Sequence, residues 1–275
     1  MKGKRVRIFL IIIIVLIAFL YFENNGLTTT RIDVVSENLP KGFNGYKIVQ
    51  LSDFHSKEFG KNQSRIAKRI KKLEPDMIVV TGDLVDSRHY DEEKSVALMV
   101  QCVGIAPTYY VPGNHEFRSG KYGLLEKRLE DAGVIVLRNV VEQIAVGDEW
   151  INVIGIEDPS NTMALNDIED TLNEAEEIKG FKILLSHRPE LFSTYSDKKI
   201  DLIFSGHAHG GQVRLPLVGG LVAPNQGFFP EFTAGKHIDG SSIMVVSRGL
   251  GNSIIPQRVF NRPEIVVVTL GSLEK

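Results

Sequence analysis

Apolar positions follow three patterns along the chain. The first is an unbroken run, Ile8–Phe22, in which no face is polar. The second is apolar, β-branched blocks, which predict strands over Arg31–Ser36, Tyr46–Leu51, Met77–Thr81 and Thr108–Val111. The third is helical spacing. Ile66, Ala67, Ile70 and Leu73 place a helix over Gln63–Leu73 that Pro75 stops, and further helices are expected over Glu92–Val103, Tyr122–Ala132 and Asp167–Ile178. Strand and helix alternate through the first half, which predicts an α/β fold with helices on parallel strands. The second half is richer in strands: Val134–Leu137, Val141–Val146, Trp150–Ile156, Phe181–Leu185, Leu202–Ser205, Gln212–Leu215, Ser242–Ser247 and Ile265–Leu270. The Gly- and Pro-rich stretch Leu217–Gly235 reads as a long loop, ordered or flexible. No repeat appears, and no domain boundary after residue 31.

The apolar run follows Lys2, Lys4, Arg5 and Arg7. As a helix it is about 22 Å long, against roughly 30 Å for a bilayer core. A snorkelling Arg7 and local thinning close that gap. The residues that follow, Phe22-Glu23-Asn24-Asn25-Gly26, lack the small-residue pattern of a cleavage site. An uncleaved anchor is therefore expected, with secretion after cleavage as the alternative. The basic cluster stays cytoplasmic, which places the remainder outside. No adjacent arginine pair supports twin-arginine export. The expected division is an anchor and short polar linker over residues 1–30, then a catalytic domain over 31–275.

Composition narrows the classes. With 43% hydrophobic and 24% charged residues the chain is neither disordered nor polytopic. The net charge is −2, and four basic residues sit ahead of the apolar run, so the body is more acidic still. Such a body is a poor nucleic-acid binder. One cysteine, Cys102, excludes an internal disulfide and thiolate zinc sites, and its helical surroundings make it a buried thiol.

Five polar clusters close five apolar strands. They are Asp53-Phe54-His55, Gly82-Asp83, Gly113-Asn114-His115-Glu116, His187 and Gly206-His207-Ala208-His209. In α/β sheets the ligand crevice lies beyond the carboxyl ends of the strands. The pooled donors are carboxylates, an amide oxygen and imidazoles, a set suited to a binuclear divalent transition-metal site. His89 and His237 fall outside the clusters and read as solvated loop residues. Arg214, Arg248, Arg258 and Arg262 are candidate phosphate or structural arginines.

The order D-x-H, G-D, G-N-H-E, H and G-H-x-H resembles the calcineurin-like metallophosphoesterase superfamily. Leu51-Ser52-Asp53, Gly206 to Gln212, Arg248-Gly249-Leu250-Gly251 and Arg262-Pro263-Glu264 are similar to its bacterial membrane-associated or exported phosphodiesterase branch. The resemblance covers roughly residues 31–271. It implies a four-layer α/β/β/α sandwich, here preceded by one apolar helix. It implies two divalent ions, Mn, Fe or Zn, one held by Asp53, His55, Asp83 and His209 and the other by Asp83, Asn114, His187 and His207. Asp83 then bridges, and the metals generate the hydroxide that attacks phosphorus. His115 resembles the family's general acid, with an indirect hydrogen-bonding role as the alternative. Glu116 stands where the family more often has Asp, one methylene shorter, which bears on substrate contacts.

The implied function is a membrane-anchored, binuclear phosphoesterase hydrolysing phosphate esters, phosphodiesters foremost. The alternatives are a lipid-linked pyrophosphatase of the UDP-2,3-diacylglucosamine hydrolase type and a catalytically idle surface metal-binding protein. The expected partners are a phosphate-ester substrate, lipid- or envelope-linked substrates included, and the membrane through the N-terminal helix. No nucleic acid and no obligate protein partner are expected.

Overall fold

The computed structural model describes residues 2–253 and 255–273. An N-terminal helix, α1 (Lys2–Asn25), projects from a body built on two six-stranded sheets. Its segment Gly3–Asn25 is long and apolar enough to cross a membrane.

The first sheet contains β1 (Thr28–Ser36), β2 (Lys47–Leu51), β3 (Met77–Thr81), β4 (Thr108–Val111) and β5 (Ile135–Val136), together with the final strand β16 (Glu264–Ser272). Its order is β1-β16-β2-β3-β4-β5. The second contains β6 (Val140–Val146), β7 (Glu149–Gly155), β8 (Lys182–Leu185), β9 (Leu202–Ser205), β14 (Gly235–Asp239) and β15 (Ser242–Val246), in the order β14-β15-β9-β8-β7-β6. Two small hairpins lie between β9 and β14. One pairs β10 (Arg214–Leu215) with β11 (Gly219–Gly220), the other β12 (Val222–Ala223) with β13 (Gly227–Phe228).

The period of two along each strand sorts its side chains between layers. In β2 and β3, Ile48, Met77 and Val79 face the second sheet and meet Ile183, Leu185, Leu202 and Phe204. Their neighbours Val49, Ile78 and Val80 face the opposite way. They pack on α2 (Ser64–Lys71), α3 (Glu92–Val103) and α5 (Tyr122–Asp131) through Ile66, Ile70, Leu98, Met99 and Leu125. On the far side of the second sheet, Ile154, Leu184, Ile203 and Met244 meet α6 (Leu165–Glu177) and α7 (Phe192–Asp197). The result is the expected four-layer α/β/β/α sandwich. Cys102 is fully buried on α3, and burial pushes its thiol up to about 12.

The structure departs from the sequence reading in three places. Residues 23–30 are not a linker: α1 continues to Asn25, and β1 opens at Thr28, pairing parallel with β16 from Glu264 onward. Glu23, Asn24, Thr28 and Thr30 hydrogen-bond to residues of the body through their side chains. Leu217–Gly235 is largely the two hairpins. His237 is not a solvated loop residue, because it lies on β14, half-buried against the Phe232 ring at 5.1 Å. His89 is exposed, as expected.

Candidate metal centre

Strands β2, β3 and β4 run parallel in one sheet, and β7, β8 and β9 run parallel in the other. The clusters that follow β2, β3, β4, β8 and β9 therefore emerge from one end of the sandwich. The backbone leaves these strands abruptly. Asp53, His55, Asp83, His207 and His209 all have positive φ, between 48° and 64°. Non-glycine residues adopt this region at a cost of about 1–2 kcal/mol each, so the fold spends stability to aim these side chains inward. Gly82 at φ +84° serves the same end. A Cβ there would stand 2.6 Å from His187 Nδ1 and 2.7 Å from Gly113.

The side chains meet in two groups that share a residue. Ligand atoms of Asp53, His55, Asp83 and His209 lie within 4.8 Å of one another, as do those of Asp83, His187 and His207. Asp83 Oδ2 stands between them, 3.7 Å from His55 Nε2 and 3.2 Å from His187 Nε2. Its Oδ1 accepts from the His115 amide at 2.8 Å. Asp53 accepts from the His207 amide at 3.1 Å and lies 3.3 Å from His209 Nε2. All of these side chains are buried.

The donor set fits cations. The Nε2 atoms of His55 and His209 face each other at 3.1 Å, and His207 Nδ1 faces His187 Nε2 at the same distance. The Asn114 amide oxygen points at His207 Nδ1, 3.0 Å away, while its nitrogen points at two donors, Arg118 Nη1 and the His115 amide. Protein partners alone would reverse that amide, whereas a cation beside the oxygen satisfies it as it stands. Burial drives His55, His207 and His209 below the usual imidazole range, and so towards the neutral form that ligates metal. Burial also disfavours charge on His187, but the Asp83 carboxylate beside it, with Asp53 and Asp158 beyond, raises it well above that range. A proton on His187 there supplies positive charge that a divalent ion would replace.

His115 is outside the two groups joined at Asp83 but forms a third with His55 and Asp86, whose ligand atoms also lie within 4.8 Å of one another. Its ring stands edge-on to His55, with centroids 4.6 Å apart. The Ser87 backbone N–H donates to its Nδ1 at 3.0 Å, which leaves Nε2 to carry the proton. A cavity of about 110 Å³ opens at this histidine, lined by Asp86, Ser87, Arg88, Arg118 and Ser253. A larger cleft, of about 900 Å³, runs along α6 from Arg138 to Glu174 and contains none of the clustered residues.

Several contributors are silent in the sequence. Glu116 makes no approach to this cavity. Its carboxylate accepts from the amides of Asp83, Gly113 and Val85, clamping two of the strand-end loops together. Arg188 Nη1 contacts His207 Nε2 at 2.9 Å and is itself paired with the buried Asp158. Arg188 directly follows His187, and Asp158 follows the apolar end of β7, so position alone marked them. The four candidate arginines have structural roles. Arg258 is buried and donates to the carbonyls of Gly251, Arg248 and Asn261. Arg248 pairs with Glu264, Arg214 donates to the Gly210 carbonyl, and Arg262 lies over the Phe22 ring.

The family model for calcineurin-like phosphoesterases matches residues 46–211. An uncharacterized metallophosphoesterase of Bacillus subtilis, YkuE, is 32% identical over 260 residues, covering 92% of this chain and 88% of its own. The phosphodiesterase YaeI of Escherichia coli is 30% identical over 234 residues, covering 82% of each chain. A transmembrane protein with a metallophosphoesterase domain from Danio rerio is 28% identical, covering 87% of this chain and 56% of its own.

Proposed function

The chain belongs to the calcineurin-like phosphoesterase family of metal-dependent hydrolases, and from that premise we propose that it is a membrane-anchored, two-metal phosphodiesterase. The observation that carries the reading is the pair of ligand groups joined at Asp83. In it, Asp53, His55, Asp83 and His209 would hold one divalent ion, and Asp83, Asn114, His187 and His207 the other. Such ions acidify water and offset phosphoryl charge.

The protein's own groups do the rest. A carboxylate between two cations would offset their repulsion, and Asp83, common to both ligand groups, is the residue that would supply it. His115, with its proton fixed on Nε2 by Ser87, donates to the leaving oxygen. Arg88 and Arg118 line the cavity beside it and take the non-reacting phosphate oxygens as guanidinium groups do. The helix α1 is the membrane anchor and the body from Thr28 onward is extracytoplasmic, as the basic residues before the apolar run imply. The likeness to YaeI supports a phosphodiester, and the transmembrane relative supports the anchor.

The test is chelation of the full-length protein, followed by Mn²⁺ titration, reading bound metal and hydrolysis of a chromogenic phosphodiester together. Activity is expected to vanish with the metal and to return as two equivalents bind. Hydrolysis undiminished in metal-free protein would end this reading.

A further inference from the structure

We infer that the rim of the body around the foot of α1 is a second membrane contact. An apolar ledge of Leu217, Val218, Phe228, Phe229 and Phe260 enters the boundary between headgroups and acyl chains, and the basic face of α2 meets anionic headgroups. The inference rests on α1 being a membrane anchor and goes beyond it, because an anchor alone leaves the body free to stand off the bilayer.

The foot of α1 is fixed to the body. Gln257 Nε2 donates to the Leu20 carbonyl at 2.9 Å, Asn252 Nδ2 to Asn24 Oδ1 at 2.9 Å, and the Asn261 amide to buried Glu23 at 3.1 Å. Lys57 donates to the Asn24 carbonyl. The helix thus leaves the body in a set direction.

The ledge is continuous with that foot. The Phe260 ring packs on Phe19 of α1, with centroids 5.5 Å apart. The Arg214 amide donates to the Val259 carbonyl at 3.0 Å, tying the β10–β11 hairpin to the same segment. A shallow depression joins Phe260 to Leu217 and Val218. The β12–β13 hairpin follows β11 directly, and the Phe229 amide donates to the carbonyl of Leu221, the residue next to the end of β11. Leu217 is fully exposed, and Phe228 and Phe229 are 83% and 68% exposed. Single exposed apolar residues are ordinary in proteins, but large side chains gathered beside an apolar helix mark an interaction surface.

Height and charge agree with a bilayer as the occupant. Phe19 stands six residues before Asn25, so the ledge reaches about 9 Å up the helix. The apolar run is itself about 8 Å shorter than a bilayer core. A membrane that accommodates α1 therefore comes down to the ledge. On the other side of the helix foot, Arg65 and Arg69 of α2 reach the Asn25 and Leu27 carbonyls at 3.5 Å, and exposed Lys68 and Lys72, at helical spacing from them, extend that basic face. Apolar side chains in the interface beside basic ones are the composition of membrane-surface elements.

The contact also orients the site. β16 runs antiparallel to β2, so Glu264, and with it Thr28 at the start of β1, lies at the end where the strand-end clusters gather. Lys57, which holds the helix foot, is two residues from His55. Phosphate esters at the bilayer surface are then the substrates within reach.

The experiment uses the full chain in nanodiscs of phosphatidylglycerol brominated on the acyl chains near the headgroup. Trp150, the single tryptophan, sits at the amino end of β7, away from the foot of α1, and serves as a control. Leu217→Trp and Phe228→Trp, each in a Trp150→Phe background, are expected to lose most of their emission, while Trp150 in the native chain keeps its own. Phe9→Trp in the same background reports on the anchor. Quenching at position 9 without quenching at 217 and 228 overturns the second contact and leaves the anchor standing. No quenching at position 9 overturns both. Replacing phosphatidylglycerol by phosphatidylcholine is expected to weaken quenching at 217 and 228, and an unchanged signal removes α2 from the contact.

Discussion

The two ligand groups that share Asp83 are built differently. In the group of His187 and His207, each imidazole has a polar group behind it, an accepting carbonyl for His187 and a donating guanidinium for His207. His187 Nδ1 bonds to the Thr81 carbonyl at 2.8 Å, and His207 Nε2 contacts Arg188, which Asp158 fixes in turn. In the group of Asp53, His55 and His209, the Nδ1 atoms of both histidines are buried with no hydrogen-bond partner among the described residues, and Asp86 stands 3.9 Å from His55, beyond hydrogen-bond reach. Groups behind a ligand set its ring orientation and its basicity. The imidazoles of the first half have polar groups behind them, whereas those of the second are placed by close packing, and Asp53 accepts from the His207 amide. If each half takes an ion as proposed, the two ions bind with different strength, and the ion between Asp53, His55 and His209 leaves first under chelation.

The largest expected effect removes the comparison altogether. Asp83→Asn weakens both halves at once, so elemental analysis is expected to show loss of both ions, and hydrolysis to fall to background. Two tightly held ions in that variant would refute the bridge. Next is His115→Ala, which lies outside both halves. Metal content and melting temperature are expected to hold while turnover falls by about 10²–10⁴-fold. The fall should be smallest for substrates with good leaving groups, and an equal fall for all of them would rule out proton donation. Arg188→Ala then tests the first half. Affinity for one ion is expected to drop about 10–100-fold, measured by chelator competition, with the other ion unchanged. Asp86→Asn is the smallest. Because Asp86 is too far from His55 to orient it, the variant should change metal affinity less than Arg188→Ala does. A larger change would mean that the two halves are supported alike.

The sequence made one class of feature legible and concealed another. Strand-end clusters were readable because an apolar block followed by Asp, His or Asn states both position and chemistry. Asp53, His55, Asp83, His187, His207 and His209 converge in the structure as that pattern expected, with Asn114 beside His207. The layers were readable because alternation along β2 and β3 reports two buried faces. By contrast, β14 has polar and exposed positions on an edge, and α7 is six residues with two buried aromatics, so neither generates a periodic signal. Residues 23–30 misled for a related reason. Polar composition signals solvent only when water is the partner, and here Glu23 and Asn24 bond to residues 252–261 while β1 pairs with β16. Glu116, Arg188 and Asp158 act through partners far apart in sequence, which no local pattern encodes.

The pairing of β1 with β16 also bears on how the protein is made. Among the described residues, the strand that follows α1 finds its neighbour along its whole length in β16, which is synthesised after every other strand of the body. β16 also separates β1 from β2, so the first sheet has a gap until it arrives. Contacts this distant in sequence form slowly. The emerging chain therefore stays incompletely folded while it is translated, the state that the proposed topology, with the body threaded across a bilayer, would require. The first sheet closes only after β16 has been delivered.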